Sequence, residues 1–211
     1  MVTRTQSPAE AYVPPPSRLR MTEEEFVEWC DEDTKAEWVD GEVIVHSPAS
    51  FRHVDLTGFL NAVMRSFALH YDLGVVCGPE FQIRFGSPRR RRVPDILFVA
   101  KDRRDLIKST HLEGAPDLVI EIVSQDSISR DWREKYWEYE SAGVREYWIV
   151  DPKAERVEAY VLGEDKRYTQ IEEKDGAIRS VILPGFYLKT EWLWPDPMPN
   201  PLMVAKELGV G

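Results

Sequence analysis

The chain contains 211 residues, of which 43% are hydrophobic, so it can bury one substantial core as a single domain. Its net charge of −10 argues against a general polyanion-binding protein, because nonspecific nucleic-acid affinity comes mostly from neutralising phosphates. The N-terminus lacks the pattern of a secretory signal, and no apolar run approaches the ~18 residues of a bilayer span, which predicts a cytoplasmic protein without a membrane segment. Cys30 and Cys77 are unclustered, so we expect free thiols and no cysteine metal site.

The proline distribution divides the chain into three parts. Residues 1–20 are rich in proline and lack hydrophobic periodicity, which predicts a flexible N-terminal arm. A single domain is expected over residues 21–193. Residues 194–211 again contain many prolines and predict an extended or disordered C-terminal tail.

The first half of the domain predicts two helices and a hairpin. Thr22 opens a capping box, which predicts a short helix after it. The dipeptide Asp40-Gly41 tolerates positive φ and therefore predicts a tight turn between two short strands. From residue 50 to residue 73 apolar side chains recur three and four positions apart, which predicts an amphipathic helix closed by Gly74.

The remainder of the domain predicts short strands and one more helix. A charged aromatic segment over about residues 129–142 predicts the helix, and Gly143 is expected to stop it. The four arginines at 89–92 are expected in a loop, and residues 183–186 are expected to form a turn. The predicted strands cover residues 75–77, 80–85, 94–99, 117–123 and 146–150, with two or three more between 156 and 181.

One acid interrupts an apolar strand. Glu121 lies within the run from Val119 to Val123, so its side chain points into a core or a cleft. A buried ionised carboxylate needs a cation, hydrogen-bond donors or a metal as its partner. Asp117 shares the strand but lies about 13 Å away at ~3.3 Å per residue, too far to share one ion with Glu121.

Asp95 is a better partner, because a neighbouring strand lies only about 4.8 Å away. Two carboxylates that close repel unless one is protonated or a divalent cation lies between them, and oxygen ligands favour Mg²⁺ or Mn²⁺. Val123 cannot supply the cation that such a site needs. Lys135 supplies it if the following helix packs back over the end of the strand.

These residues resemble the PD-(D/E)XK nuclease superfamily, and specifically its Uma-type branch of restriction-endonuclease-like proteins, in which the motif lysine has moved to the next helix. The resemblance covers about residues 21–192 and rests on MTEEEF, AEWVDGEV, HSPAS, VPDILFV, APDLVIEIVS, RDWREKYWEYESAGVREYWIVDP and LPGF. One departure is Gln125, where relatives commonly have proline. The resemblance implies an α/β (α+β) fold, with a restriction-endonuclease-like core, a mixed central sheet flanked by helices, and additional C-terminal antiparallel strands.

The resemblance also implies roles for particular residues. It makes Asp95 and Glu121 the metal-binding pair, Lys135 the displaced lysine and Glu37 an auxiliary acid, and His53 matches the family's histidine. The implied reaction is Mg²⁺- or Mn²⁺-dependent hydrolysis of a DNA phosphodiester. The backbone carbonyl of Ile122 is a candidate third metal ligand.

Two further interactions are expected. The run Arg89, Arg90, Arg91 and Arg92 adjoins the expected metal site, so it is a candidate for phosphate contact. A homodimer is a further expectation, because an enzyme that cuts both strands usually needs two sites related by symmetry.

Each assignment has a structural alternative. In these alternatives Glu121 would pair with an arginine such as Arg130 or Arg145, and Asp95 would cap a turn. Lys135 would then be a solvated surface residue. Glu37 and His53 are then an ordinary hairpin acid and a hydrogen-bonded residue at a helix start, and the arginine run is an exposed loop. At the level of function, the alternatives are a catalytically inactive binding or assembly module and a hydrolase of small phosphodiesters.

Overall fold

The structure, a computed structural model, describes residues 19–31, 34–46, 48–86, 89–123 and 131–211, with only the backbone described at 131–133. Almost all of the expected arm lies outside the described residues. The same holds for Gln125, at which the sequence departs from the family pattern, and for Arg130, the alternative partner of Glu121.

The described residues form four α-helices and thirteen strands. The helices are α1 (Glu23–Trp29), α2 (Phe51–His70), α3 (Asp131–Ala142) and α4 (Pro201–Glu207). The strands are β1 (Ala36–Val39), β2 (Glu42–Val45), β3 (Gly74–Cys77), β4 (Gln82–Phe85), β5 (Arg90–Arg92), β6 (Ile96–Ala100), β7 (His111–Glu113), β8 (Leu118–Ile122), β9 (Glu146–Asp151), β10 (Arg156–Leu162), β11 (Tyr168–Ile171), β12 (Ala177–Arg179) and β13 (Tyr187–Lys189).

Local signals placed the first elements correctly. The Thr22 side chain accepts a hydrogen bond from the Glu25 backbone, and the Glu25 side chain accepts one from the Thr22 backbone, so the capping box at the start of α1 is confirmed. Asp40 and Gly41 have φ values of 49° and 85°, as a primed turn requires, and β1 pairs with β2 on either side of them.

The predicted end of α2 is wrong. The helix ends at His70, and Asp72 takes the left-handed conformation with φ 52°. Gly74 is instead the first residue of β3, where a Cβ atom would lie 2.1 Å from the Val99 carbonyl oxygen. This glycine is therefore required by the close approach of β3 and β6, and it does not terminate the helix.

A six-stranded mixed sheet organises the core, in the order β11-β10-β9-β8-β6-β3. Its β8 and β9 are parallel, and its other pairs are antiparallel. Alternation along β8 sends Leu118, Ile120 and Ile122 into the core that α2 and α4 cover. Val119 points to the opposite face, where Tyr139 of α3 packs. Glu121 shares that second face with Val119.

A five-stranded sheet, in the order β2-β1-β5-β4-β7, lies on the α3 side of the core. Its presence overturns the loop expected at 89–92, because Arg90, Arg91 and Arg92 form β5 and pair with both β1 and β4. Pairing to two neighbouring strands satisfies the backbone of this segment, which its charged sequence did not indicate.

The expectation of an extended or disordered C-terminal tail is also wrong. Asn200 caps α4, Pro201 occupies its first turn, and Val204 and Leu208 are buried in the main core. The turn at 183–186 is confirmed by the hydrogen bond from Phe186 N–H to the Leu183 carbonyl, 2.9 Å long. No helix in the described part of the chain is long and apolar enough to cross a membrane.

Candidate active site

Two carboxylates meet where β6 and β8 lie side by side. The antiparallel register pairs Ile96 with Ile120, which sets the preceding Asp95 beside Glu121 on the neighbouring strand. Both side chains are buried, with 5% and 8% of their residue surfaces exposed. The structure therefore brings together the two acids that the sequence analysis assigned to a metal.

Helix α3 supplies two hydrogen-bond donors to Glu121, and they are the side-chain donors found for it among the described residues. Lys135 Nζ donates to Oε2 over 3.0 Å, and the Tyr139 hydroxyl donates to Oε1 over 2.7 Å. The donors are four residues apart, so they project from one face of the helix. Lys135 is 9% exposed and is not the solvated surface residue of the structural alternative.

The alternative arginine partner belongs to a different acid. Arg145 and Arg103 both bind Asp117 Oδ1, at 3.1 and 2.7 Å, and the Ala100 N–H donates to Asp117 Oδ2 over 2.8 Å. Asp117 is fully buried within this group of donors. It therefore has structural partners of its own, outside the pair formed by Asp95 and Glu121.

Asp95 has two contacts that are distant in sequence. Its Oδ2 accepts the Ile122 N–H over 2.8 Å, and its Oδ1 lies 2.9 Å from His53 Nε2. The Ile122 bond crosses from one strand to the next, so Asp95 does not simply cap its own turn. His53 Nδ1 is buried and has no hydrogen-bond partner within the described residues.

Glu37 from β1 forms the third side of the site. Its Oε2 accepts from Arg92 Nη1 over 2.8 Å and its Oε1 accepts the Val93 N–H over 3.0 Å. Lys135 Nζ lies 3.6 Å from Oε1, and His46 Nε2 lies 3.6 Å from Oε2. Glu37 is 1% exposed, so it is not an ordinary hairpin acid.

The arginine run is largely engaged within the protein. Arg90 binds Asp40, Arg91 binds Glu23 and Gln82, and Arg92 binds Glu37 and Glu138. Among the four arginines, Arg89 is the exposed one, whereas Arg90 is partly buried and Arg91 and Arg92 are buried. Contact of this run with nucleic acid remains a prediction, with Arg89 its most accessible member.

The site holds more negative than positive charge. Among the described residues, four carboxylates, those of Glu37, Asp95, Glu121 and Glu138, lie around three side-chain cations, namely Lys135, Arg92 and Arg90, whose Nε is 3.5 Å from Glu138 Oε1. The excess charge appears in the pKa of Glu121: burial, together with the nearby Asp95 and Glu37 carboxylates, raises it above its ordinary value despite the attraction of Lys135.

Glu37 and Asp95 behave in the opposite way. Burial opposes ionisation of Glu37, but Lys135, His46 and Arg92 together hold its pKa well below the ordinary value. Burial likewise opposes ionisation of Asp95, but His53 and the Ile122 N–H lower its pKa. Glu121 is thus the carboxylate whose charge the protein leaves least compensated.

The donor set fits a hard divalent cation. Among the described residues, no three His, Cys, Asp or Glu side chains converge into a ready-made metal cluster. Mg²⁺ does not require one, because it usually keeps several waters and takes one or two carboxylates together with substrate phosphate oxygens. Asp95 and Glu121 meet that requirement, and their local negative excess favours a cation.

A family model described as "Uma2: Putative restriction endonuclease" matches residues 23–191. The chain belongs to the Uma2 family. A crystal structure from Anabaena variabilis, described as "a putative nuclease belonging to DUF820", is similar with a TM-score of 0.68 and 20% identity, covering 85% of this chain and 98% of that one. The restriction-endonuclease-like fold is thereby confirmed. No curated protein matches the chain.

Two contributors to this Uma2 site, His46 and Glu138, were missed by sequence reasoning. His46 lies on the same face of the hairpin as Glu37, because β1 pairs Glu37 with Ile44 and alternation returns the side chain two residues later to that face. The pairing register of β1 and β2 could have been inferred from the predicted two-residue turn at Asp40-Gly41. The pairing of Arg92 with Glu138 had no local signal, because 46 residues separate them.

Proposed function

We propose that this Uma2 protein is a divalent-metal-dependent endonuclease that hydrolyses DNA phosphodiester bonds. The observation that carries the proposal is the contact of Lys135 with Glu121, 3.0 Å long, beside Asp95 in one buried site. Two carboxylates that can hold a divalent ion, with a lysine cation beside them, form a constellation that can support phosphodiester hydrolysis.

Mg²⁺ or Mn²⁺ would be held by Asp95 and Glu121, with the Ile122 carbonyl as a candidate further ligand. The bound ion would polarise a phosphoryl oxygen and lower the pKa of a coordinated water. The protein's own residues prepare the acids for this task, since His53 orients Asp95 through Oδ1 and Tyr139 orients Glu121 through Oε1.

Lys135 acts as a cation and not as a base in this proposal. Burial alone would lower the pKa of its ammonium, but the Glu121 and Glu37 carboxylates outweigh burial and raise that pKa. A lysine that stays protonated stabilises negative charge developing on the phosphoryl group and orients the attacking water by donating a hydrogen bond. The proton must therefore leave the water by another route.

A DNA substrate is supported by the restriction-endonuclease description of the family and by the exposed Arg89 immediately before β5. The acidic chain disfavours tight, sequence-independent binding, because phosphate neutralisation supplies most of that affinity. We therefore expect productive contact to be local to the site, with affinity falling as salt is raised. Action as a homodimer would allow both strands to be cut.

A catalytically inactive binding or assembly module is the second candidate. The observation that favours it is that Lys135 and Tyr139 each donate a hydrogen bond to one oxygen of Glu121, so this acid has partners without a metal. A divalent ion at this site would share the lone pairs of Glu121 with these two donors. Calorimetric titration with Mn²⁺ separates the two, because the inactive module binds none at these acids.

The decisive experiment measures cleavage of supercoiled, linear and single-stranded DNA with Mg²⁺ or Mn²⁺, and with chelator as the blank. Wild type is expected to cut, whereas Asp95→Asn, Glu121→Gln and Lys135→Met are expected to lose cleavage while keeping their circular dichroism. Glu158→Gln removes a carboxylate from β10 of the same sheet and is expected to cleave normally. Failure of wild type to cut any DNA with either ion rejects the proposal. Cleavage of bis(p-nitrophenyl) phosphate alone indicates a small-phosphodiester hydrolase.

A further inference from the structure

Arg92 is the most deeply buried of the arginines in β5, with 2% of its surface exposed. Its guanidinium makes three charged hydrogen bonds within the described residues. Nη1 donates to Glu37 Oε2 over 2.8 Å, while Nε and Nη2 donate to the two carboxylate oxygens of Glu138, each over 2.9 Å. A planar fork that engages both oxygens of one acid fixes direction as well as distance.

The two acids that Arg92 joins belong to opposite sides of the candidate active site. Glu37 lies on β1, in the five-stranded sheet, and Glu138 lies on α3, one helical turn after Lys135. The lysine ammonium itself lies 3.6 Å from Glu37 Oε1. Arg92 therefore ties the helix that carries Lys135 to the strand that carries Glu37.

We propose that Arg92 is a positioning residue, which holds α3 at the distance from β1 that places the Lys135 ammonium against Glu121. It acts through Glu138 and Glu37 and contacts neither Glu121 nor Asp95 in the hydrogen bonds described. This assignment replaces direct phosphate contact for Arg92, because all three of its donor nitrogens are engaged in buried bonds.

The chemistry explains why arginine is required at this position. Lysine at residue 92 would keep one positive charge, but its compact ammonium cannot present two parallel N–H groups to Glu138 while also reaching Glu37. The two acids would remain partly neutralised, yet the angle between α3 and β5 would no longer be fixed. Charge and geometry are thus separable by Arg92→Lys.

The test compares Arg92→Lys and Glu138→Gln with a matched control. Arg84→Lys removes a similar fork from β4 of the same sheet, where Arg84 binds Glu23 and Glu113 away from α3. Exposure of Lys135 is measured by acetylation of amines in the folded protein, followed by peptide-resolved mass spectrometry. This measurement needs no catalytic activity.

We expect acetylation of Lys135 to rise severalfold in Arg92→Lys and Glu138→Gln and to stay at the wild-type level in Arg84→Lys. The kinetic part rests on the proposed function: kcat for DNA cleavage should fall by about 10- to 100-fold with little change in KM, as for other residues that orient a catalytic group. Glu138→Gln decides the question if Arg92→Lys does not fold.

Two results would overturn the inference. One is that acetylation of Lys135 in both folded variants is as low as in wild type. The other is a higher KM with an unchanged kcat and a smaller salt dependence of DNA binding in Arg92→Lys, which would make Arg92 a phosphate contact. Increased acetylation of Lys135 in a protein whose wild type cuts no DNA supports the positioning role and rejects the nuclease function.

Discussion

Removal of the Lys135 charge should be costly to the fold, and a divalent ion should reduce that cost. Lys135→Met keeps an unbranched chain of similar length but leaves Glu121 and Glu37 without their shared cation. Truncation of one partner of a buried ion pair costs about 3–5 kcal/mol, because the remaining charge stays buried and unpaired. The Lys135 side chain is 11% exposed, which places this pair in that class.

The size of the effect can be checked against an exposed lysine in the same chain. Lys101 pairs with Asp72, but 61% of its side chain is exposed, so Lys101→Met should cost at most about 1 kcal/mol. For a domain of this size each kcal/mol lowers Tm by about 2–4 °C. Lys135→Met should therefore melt at least about 6 °C below wild type in chelator, and Lys101→Met within about 4 °C of it.

Urea denaturation of both variants, with chelator and with saturating Mg²⁺, is the appropriate assay. Mg²⁺ should stabilise Lys135→Met more than wild type. Without the lysine charge, Glu121 and Glu37 should bind the ion more tightly, and tighter binding to the native state adds stability. DNA cleavage by the variant should remain absent even with metal. A loss in chelator no larger than that of Lys101→Met would refute the buried ion pair, and an equal effect of Mg²⁺ on variant and wild type would refute the shared site.

Three further predictions follow from single contacts. Tyr139→Phe removes the donor to Glu121 Oε1 and should lower the unfolding free energy by about 1–3 kcal/mol and also reduce kcat; unchanged values of both would contradict the contact. Glu37 has a folded-state pKa below the unfolded value of about 4.5, so its contribution to stability is present above that pH and is lost on acidification. The unfolding free energy of Glu37→Gln should therefore fall less steeply below pH 4.5 than that of wild type, by up to about 1.4 kcal/mol per pH unit. An equally steep fall in both proteins would show that Glu37 titrates normally. Leu208→Ala should cost about 2–5 kcal/mol in denaturation and Leu202→Ala, on the exposed face of α4, under about 0.5 kcal/mol; a small effect of both would mean that the tail does not pack.

Short-range signals in the sequence placed the local elements. The capping box at Thr22 and the turn at Asp40-Gly41 depend on atoms a few residues apart, so their outcome needed no tertiary information. The predicted end of α2 was wrong because a glycine that terminates a helix and a glycine required by close strand packing look alike in sequence. Gly74 was taken as a helix terminator, whereas the close approach of β6 requires it.

Composition misled the interpretation at two places. Four arginines at 89–92 suggested a solvated loop, but acids supplied by other elements neutralise three of them and allow a strand. The prolines after residue 194 suggested an extended tail, although Pro201 after Asn200 is a favourable start for a helix. The acids that reverse the first expectation are far away in the chain, whereas the helix start at Asn200 and Pro201 is a local signal.

The sequence by itself determined the buried acid, its nearest candidate partner and the lysine. Strand alternation placed Glu121 on the face opposite Ile120, strand spacing favoured Asp95 over Asp117, and helical spacing made Lys135 available. These deductions follow from backbone periodicity, which every residue of an element shares. They identified the two acids and the lysine, but not His46 or Glu138 beside them and not how the charges pair.

Only the tertiary structure decided how those charges are arranged. The packing of α3 against the five-stranded sheet makes Lys135 serve both Glu121 and Glu37, and it turns Arg92 inward toward Glu138. Such partners are chosen by the position of whole elements, because a buried charge pairs with whichever opposite charge the fold brings within a few ångströms. No local pattern in the chain encodes that choice.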